Sequence, residues 1–167
     1  MQYQVISLTD SAKLHIYVSD IRMNKKPRDG LLVIPGGGYG FVSMDREGEP
    51  IALNFCGKGM NCFLLEYSVQ AGAKFPTPLR EAALAMAHIK DNAQKYDVDP
   101  ERIFAIGFSA GGHLTGCLGS FWHREELTGV PAQKAKPKAT VLVYPVITAG
   151  EFAHRGSFHN ILGTQTP

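Results

Sequence analysis

The stretch Ile103-Phe104-Ala105-Ile106-Gly107-Phe108-Ser109-Ala110-Gly111 decides the fold of this 167-residue chain. Its first four residues are apolar, as in a strand buried on both faces of a parallel sheet, and a helical pattern over Ser109–Phe121 follows. The serine between them has a glycine two residues away on either side, the pattern GxSxG. On a sharp strand-to-helix turn, minimal side chains at Gly107 and Gly111 leave room to present the serine hydroxyl. The motif predicts that Ser109 is a nucleophile.

A glycine-rich loop earlier in the chain supports this prediction. The continuous apolar run Leu31–Ile34 leads directly into Pro35-Gly36-Gly37-Gly38-Tyr39-Gly40. A loop in that place supplies backbone N–H groups to the oxyanion that forms when a serine attacks a carbonyl, together with the N–H after the serine. We therefore predict that Gly37, Gly38 and Ala110 are oxyanion donors.

Each element also has a simpler explanation. Ser109 could only cap its helix, which is the commoner role of serine at such a boundary. The glycine loop could cradle a phosphate, but Phe41 occupies the place of the third glycine in GxGxxG, and GxxxxGK[ST] does not occur in the chain. The presence of both elements in the correct order favours the nucleophile.

Strand-like and helix-like segments alternate along the chain. Helices are predicted over Pro50–Lys58, from a cap at Thr77 through an apolar face that ends at Ala93, and over Ser109–Phe121. This alternation predicts an α/β fold, with a mainly parallel sheet flanked by helices, in one domain over residues 1–167. The predicted strands are Gln4–Leu8, Leu14–Val18, Leu31–Ile34, Asn61–Leu65, Ile103–Ile106 and Ala139–Val143.

Composition limits the partners and the compartment. A formal net charge of +2 is too small to predict binding to nucleic acid or to a membrane surface. No apolar run approaches a membrane span, and Met1–Gln4 lacks the regions of a signal peptide. The three cysteines follow no metal-ligand spacing and are predicted to be reduced thiols, which favours the cytoplasm.

Six separate motifs carry a family resemblance: Pro35–Gly40, Asp45–Pro50, Phe75–Arg80, Gly107–Leu114, Tyr144–Ile147 and His154–Phe158. They resemble the esterase/lipase branch of the α/β-hydrolases, above all the bacterial acetyl-xylan-esterase-like proteins, also called xylanase B-like. The resemblance implies hydrolysis of short acyl esters, often acetyl groups on sugars, through a covalent acyl-serine. It implies no metal and no organic cofactor, with Ser109 as the nucleophile.

Three further residues are candidates for lining the substrate pocket. Tyr39 and Asp45 follow the oxyanion loop, and a plain surface-loop role is the alternative for both. His154 lies in the segment after the last predicted strand, at the expected pocket mouth. His113 lies one turn beyond Ser109 on the same helix face, and we expect it to be structural and hydrogen-bonded beneath the site.

The rest of the catalytic triad is not evident in the sequence. In α/β-hydrolases the order is Ser, then Asp or Glu, then His, and the family places the last two after strands beyond Ala139–Val143. We therefore expect a C-terminally truncated domain that lacks the last strands, is inactive or weakly active alone, and self-associates through an exposed sheet edge. The acids and histidines that do follow Ser109 are Glu125, Glu126, Glu151, His113, His123, His154 and His159.

Two alternatives to a truncated esterase stay open. One is a naturally short, non-catalytic protein that binds acylated sugars or a partner chain that completes its sheet. The other is a short hydrolase that uses His154 or His159 as its general base, with Glu151 as the acid.

Overall fold

The computed structural model describes residues 1–19 and 26–163, which form a six-stranded sheet. The strand order is β1-β2-β4-β3-β5-β6; β4, β3, β5 and β6 are parallel, whereas β1 and β2 are antiparallel additions at one edge. The predicted α/β class with a mainly parallel sheet is confirmed. The strands are β1 (Gln2–Ser7), β2 (Lys13–Val18), β3 (Arg28–Ile34), β4 (Asn61–Glu66), β5 (Val98–Phe108) and β6 (Thr140–Val143).

Helices cover both faces of this sheet. The helices are α1 (Glu49–Gly57), α2 (Thr77–Asp91), α3 (Ser109–Phe121), α4 (Glu125–Thr128), α5 (Ala132–Ala135) and α6 (Arg155–Leu162). Successive residues of β3 point to opposite faces: Leu32 packs in one apolar cluster with Met86 of α2 and Leu114 of α3, and Val33 packs in a second with Ala52 of α1. Burial on both faces explains why β3 is continuously apolar.

Several predicted boundaries differ from the structure. β5 begins at Val98, five residues before the predicted start at Ile103, because Val98 pairs with Arg28 across an irregularity in the register. The prediction that Thr77 caps α2 is wrong: the helix begins at Thr77 and Pro76 is the cap, so no cap side chain bonds to the first turn. α6 was not predicted at all.

The last strand leaves one edge of the sheet uncovered. Among the described residues β6 pairs only with β5, and its Val141 and Leu142 are 50% and 40% exposed. Self-association through this edge stays a prediction. The terminal residues Thr164–Pro167 lie outside the described residues. Within the described ranges, no helix has the length and apolarity needed to cross a membrane.

Candidate active site

Ser109 stands at the turn between β5 and α3, at the carboxyl end of the parallel strands. Its φ of 52° lies in the left-handed region, which costs a non-glycine residue about 1–3 kcal/mol and is often found at functional sites. A Cβ on Gly107 would overlap the carbonyl oxygen of Gly111, and a Cβ on Gly111 would overlap the carbonyl oxygen of Ile34. Strand, turn and helix are therefore too close for a side chain at either glycine.

The first turn of α3 lies directly behind the serine. Because α3 begins at Ser109, the positive end of the helix dipole is directed at the serine's surroundings. Ala110 is buried there and Ser109 is half-buried. The segment after β6 is tied to the same turn, because the N–H of Val146 donates to the Ser109 carbonyl oxygen at 3.0 Å. Backbone from two parts of the chain thus holds the serine in place.

The glycine loop forms a tight turn in contact with Ser109. Gly37 and Gly38 have φ values of 127° and 64°, which favour glycine, and the N–H of Gly40 closes the turn on the Gly37 carbonyl oxygen at 3.0 Å. A Cβ on Gly36 would lie 2.8 Å from Ser109 Cβ. Within residues 1–19 and 26–163, the N–H groups of Gly37 and Gly38 donate to no protein acceptor.

Tyr39 lies beneath the loop, not at its surface. Its side chain is 1% exposed, and its hydroxyl is 2.7 Å from His113 Nδ1. Burial lowers the pKa of His113 and raises the pKa of Tyr39, so the hydrogen bond joins a neutral imidazole and a neutral phenol. The prediction that Tyr39 contacts substrate is therefore corrected, because the core encloses the ring. His113 has the structural position that we expected for it.

Glu47 connects the two sides of the turn, a role that was not predicted from the sequence. Its Oε2 accepts the N–H of Gly36 at 2.8 Å, and its Oε1 accepts the hydroxyl of Tyr144 at 2.9 Å. The residue lies in a π-helical turn, Met44–Gly48, that follows the glycine loop. Its motif was noticed in the sequence, but nothing there indicated where the carboxylate points.

Helix α6 contacts the glycine loop from above. Asn160 Nδ2 donates to the Gly38 carbonyl oxygen at 2.9 Å, and a Cβ on Gly38 would lie 3.4 Å from Ser157 Oγ and 3.8 Å from His154 Cε1. His154 Nδ1 accepts the N–H of Ser157 at 3.3 Å, which assigns the ring proton of a neutral His154 to Nε2. His154 therefore lies beside the loop with a donor available.

The other candidates lie apart from these contacts. The Asp45 side chain is 82% exposed, with a carboxylate oxygen 3.8 Å from Arg46 Nε, so its predicted contact with substrate stays a prediction. Glu151 and His159 are exposed. In the described part of the chain no side chain is hydrogen-bonded to the Ser109 hydroxyl, and no group of three or more His, Cys, Asp and Glu side chains could hold a metal ion.

The sheet order and the strained serine turn define an α/β-hydrolase. The chain is 40% identical to the solved structure of MGS-M1, an α/β-hydrolase enzyme from a Medee basin deep-sea metagenome library. The two superpose with a TM-score of 0.79 over 92% of this chain and 60% of that one. The sequence profile of the BD-FAE family matches residues 14–150, and the chain belongs to this family.

Two curated relatives agree with the predicted resemblance. The chain is 37% identical over 143 residues to endo-1,4-beta-xylanase B of Butyrivibrio fibrisolvens, covering 81% of this chain and 22% of that protein. It is 26% identical over 161 residues to an acetylxylan esterase of Xylanibacter ruminicola, covering 96% of this chain and 31% of that protein. The chain thus spans less than a third of either relative. Acetylxylan esterase, the name of the second relative, is that of a carboxylic ester hydrolase.

Proposed function

We propose that Ser109 is the nucleophile of a serine esterase that hydrolyses short acyl esters, with acetyl groups on carbohydrate as the substrate class. One observation carries the proposal: a serine with φ of 52° begins α3 in contact with a loop whose Gly37 and Gly38 N–H groups have no described protein acceptor. The similarity to an acetylxylan esterase supports the choice of acyl group.

In the proposed reaction Ser109 Oγ attacks the ester carbonyl carbon while a general base removes the hydroxyl proton. The negative charge on the carbonyl oxygen is stabilised by the N–H groups of Gly37, Gly38 and Ala110. The bond to the alcohol oxygen then breaks, and that oxygen takes the proton from the base. Water hydrolyses the acyl-serine by the same steps and releases the acid. The proposed steps use neither a metal nor an organic cofactor.

We propose that the general base comes from outside the described residues. Tyr39 already occupies His113 Nδ1, and the Nε2 of a neutral His154 carries its proton, so neither nitrogen is an acceptor for Ser109. We assign His154 Nε2–H to the alcohol portion of the substrate, with Asp45 as a second contact. Without a base a serine keeps a weak intrinsic nucleophilicity, so we expect residues 1–167 alone to be inactive or weakly active.

Covalent labelling tests the nucleophile. The full-length gene product and its Ser109→Ala variant are treated with a fluorophosphonate probe and assayed for p-nitrophenyl acetate turnover. We expect the probe on Ser109 of the wild type alone, and loss of turnover in the variant. A folded full-length protein that the probe does not label would overturn the proposal.

A second candidate function is binding without catalysis, either of acylated sugars or of a partner chain that completes the sheet. The observation in its favour is that, in the described ranges, no histidine or carboxylate is hydrogen-bonded to Ser109. Calorimetry with acetylated xylo-oligosaccharides separates the two functions. Binding heat with no acetate release by the full-length wild type supports the second candidate, and acetate release excludes it.

Two further properties belong to this proposal. The three free thiols of Cys56, Cys62 and Cys117 support a reducing compartment, which we propose to be the cytoplasm.

The uncovered β6 edge supports self-association. Sedimentation velocity tests the second property, because Val141→Lys places a charge on the edge and should shift any oligomer of residues 1–167 to monomer.

A further inference from the structure

We propose that Glu47 is a positioning residue of this site, which directs the oxyanion N–H groups by fixing the peptide plane that precedes them. The inference rests on the proposed function of Ser109. It gives a role to a carboxylate that neither binds substrate nor moves a proton in the reaction.

The first observation is that the peptide plane between Pro35 and Gly36 is held at both ends. Glu47 Oε2 accepts the Gly36 N–H at 2.8 Å, and the Tyr67 hydroxyl donates to the Pro35 carbonyl oxygen at 2.8 Å. The next plane is held by the Ser43 N–H, which donates to the Gly36 carbonyl oxygen at 2.9 Å. That second plane carries the N–H of Gly37. The direction of this N–H is therefore set by contacts of its neighbours.

The second observation is that the carboxylate lies next to the nucleophile. A Cβ on Gly36 would lie 2.7 Å from Glu47 Oε2 and 2.8 Å from Ser109 Cβ, so the two residues flank the same point. Gly36 must lack a side chain for this arrangement. A displacement of the carboxylate would thus move the start of the oxyanion loop relative to Ser109.

The third observation is the bond to the far side of the turn. Tyr144 directly follows β6, and its hydroxyl donates to Glu47 Oε1 at 2.9 Å although its side chain is 62% exposed. β5, which ends at the serine turn, lies between β3 and β6 in the sheet. Glu47 therefore bridges the loops that follow β3 and β6, around the turn that follows β5.

The backbone of Glu47 is itself held firmly. Its N–H donates to the Ser43 carbonyl oxygen at 3.0 Å, and a Cβ on the next residue, Gly48, would lie 3.2 Å from the Leu64 side chain. Because the backbone is packed, the position of the Glu47 carboxylate is restricted. Both of its partners are donors, which is the arrangement that a carboxylate satisfies best.

Two substitutions separate geometry from charge. Glu47→Gln keeps an amide oxygen for the Gly36 N–H and can donate from its NH₂ group to the Tyr144 oxygen, so it retains both links without the charge. Glu47→Ala removes both links. Glu101→Ala is the matched control, because Glu101 is exposed in the first half of β5, at the opposite end of that strand from Ser109.

The experiment measures kcat and KM for p-nitrophenyl acetate with the full-length protein. We expect Glu47→Ala to lose about 10²-fold in kcat, as for a displaced oxyanion donor, with KM changed less than about threefold. Glu47→Gln should stay within about tenfold of the wild type. Affinity for a trifluoromethyl ketone, which forms an oxyanion on the serine, should fall with kcat/KM. Glu101→Ala should match the wild type.

A second readout does not depend on activity. Amide hydrogen exchange at Gly36, whose N–H donates to Glu47 Oε2, should accelerate at least about tenfold in Glu47→Ala and not in Glu47→Gln. The role of Glu47 is overturned if folded Glu47→Ala keeps wild-type kcat and exchange, or if Glu47→Gln is as impaired as Glu47→Ala. A wild type that neither hydrolyses esters nor reacts with a fluorophosphonate instead overturns the proposed function, while exchange still reports whether Glu47 holds the loop.

Discussion

Two supports of the same site, the serine turn and helix α6, are built in different ways. At the turn, Gly107, Gly111 and Ile34 approach so closely that the backbone excludes any side chain. At α6, single side chains make the contacts, such as Asn160 Nδ2 with the Gly38 carbonyl oxygen. The difference indicates that the turn can form only where Gly107 and Gly111 have no side chain, whereas the contact of α6 depends on individual hydrogen bonds. Substitutions at the serine turn should therefore lower the free energy of unfolding far more than substitutions in α6.

The largest effect is expected for Gly111→Ala. Its methyl group would overlap backbone oxygens of the β3 end, which cannot move without disturbing the sheet, so we expect a loss of about 4 kcal/mol or more in the free energy of unfolding. Urea denaturation of residues 1–167 measures this loss. Gly57→Ala is the control, since a Cβ there meets no atom within 4 Å. A Gly111→Ala protein within about 1 kcal/mol of the wild type would show that the turn can relax.

A smaller effect is expected for Gly38→Ala, which lies where the two supports meet. Its φ of 64° strains an alanine by about 1–2 kcal/mol, although the nearest atom to its Cβ is 3.4 Å away. Because the strain reorients a proposed oxyanion donor, kcat should fall about tenfold or more while KM changes little. Unchanged esterase kinetics in the full-length variant would remove Gly38 from the oxyanion hole.

The α6 support itself is tested by Asn160→Ala. The variant loses one hydrogen bond to the Gly38 carbonyl oxygen, which is worth about 1 kcal/mol in the free energy of unfolding. Thermal or urea unfolding measures this loss, and Asn92→Ala is a comparison, since Asn92 Nδ2 bonds a helix carbonyl far from the site. A loss as large as that of Gly111→Ala would contradict the distinction between the two supports.

The smallest effect is a pH dependence from His113, beneath the loop. Burial lowers its pKa, so the folded state binds fewer protons than the unfolded state below the ordinary value of 6.5. Its contribution to stability is therefore present above that pH and is lost as the pH falls from 6.5 toward the folded pKa. Unfolding titrations should show a shallower decline in His113→Gln than in the wild type. Identical curves would show that burial does not control this ring.

The sequence predicted the centre of the fold well, because β3 and β5 are continuous apolar runs and the turns after them require glycine. It predicted boundaries less well: nothing local indicates that Val98 pairs with Arg28 and extends β5. It missed α6, whose amphipathic pattern spans only eight residues. Short segments of this kind depend on what they pack against, and that information lies elsewhere in the chain.

The site shows the same division. Ser109 and the glycine loop were identified from local patterns, and the structure brings the two into contact. Tyr39 was expected to face substrate only because it follows the loop, but chain position does not determine the direction of a side chain. Glu47 was missed because its partner Tyr144 is 97 residues away.

The turn at Ser109 with its two glycines, the glycine loop after β3, and the alternation of strands and helices were determined by the sequence alone. The physical reason is local: backbone conformation and steric room act between near neighbours. Only the tertiary structure decided that Tyr39 is buried against His113, that α6 rests on Gly38, and that Glu47 joins two loops. Those contacts are made across the sheet, where proximity follows from strand order and packing.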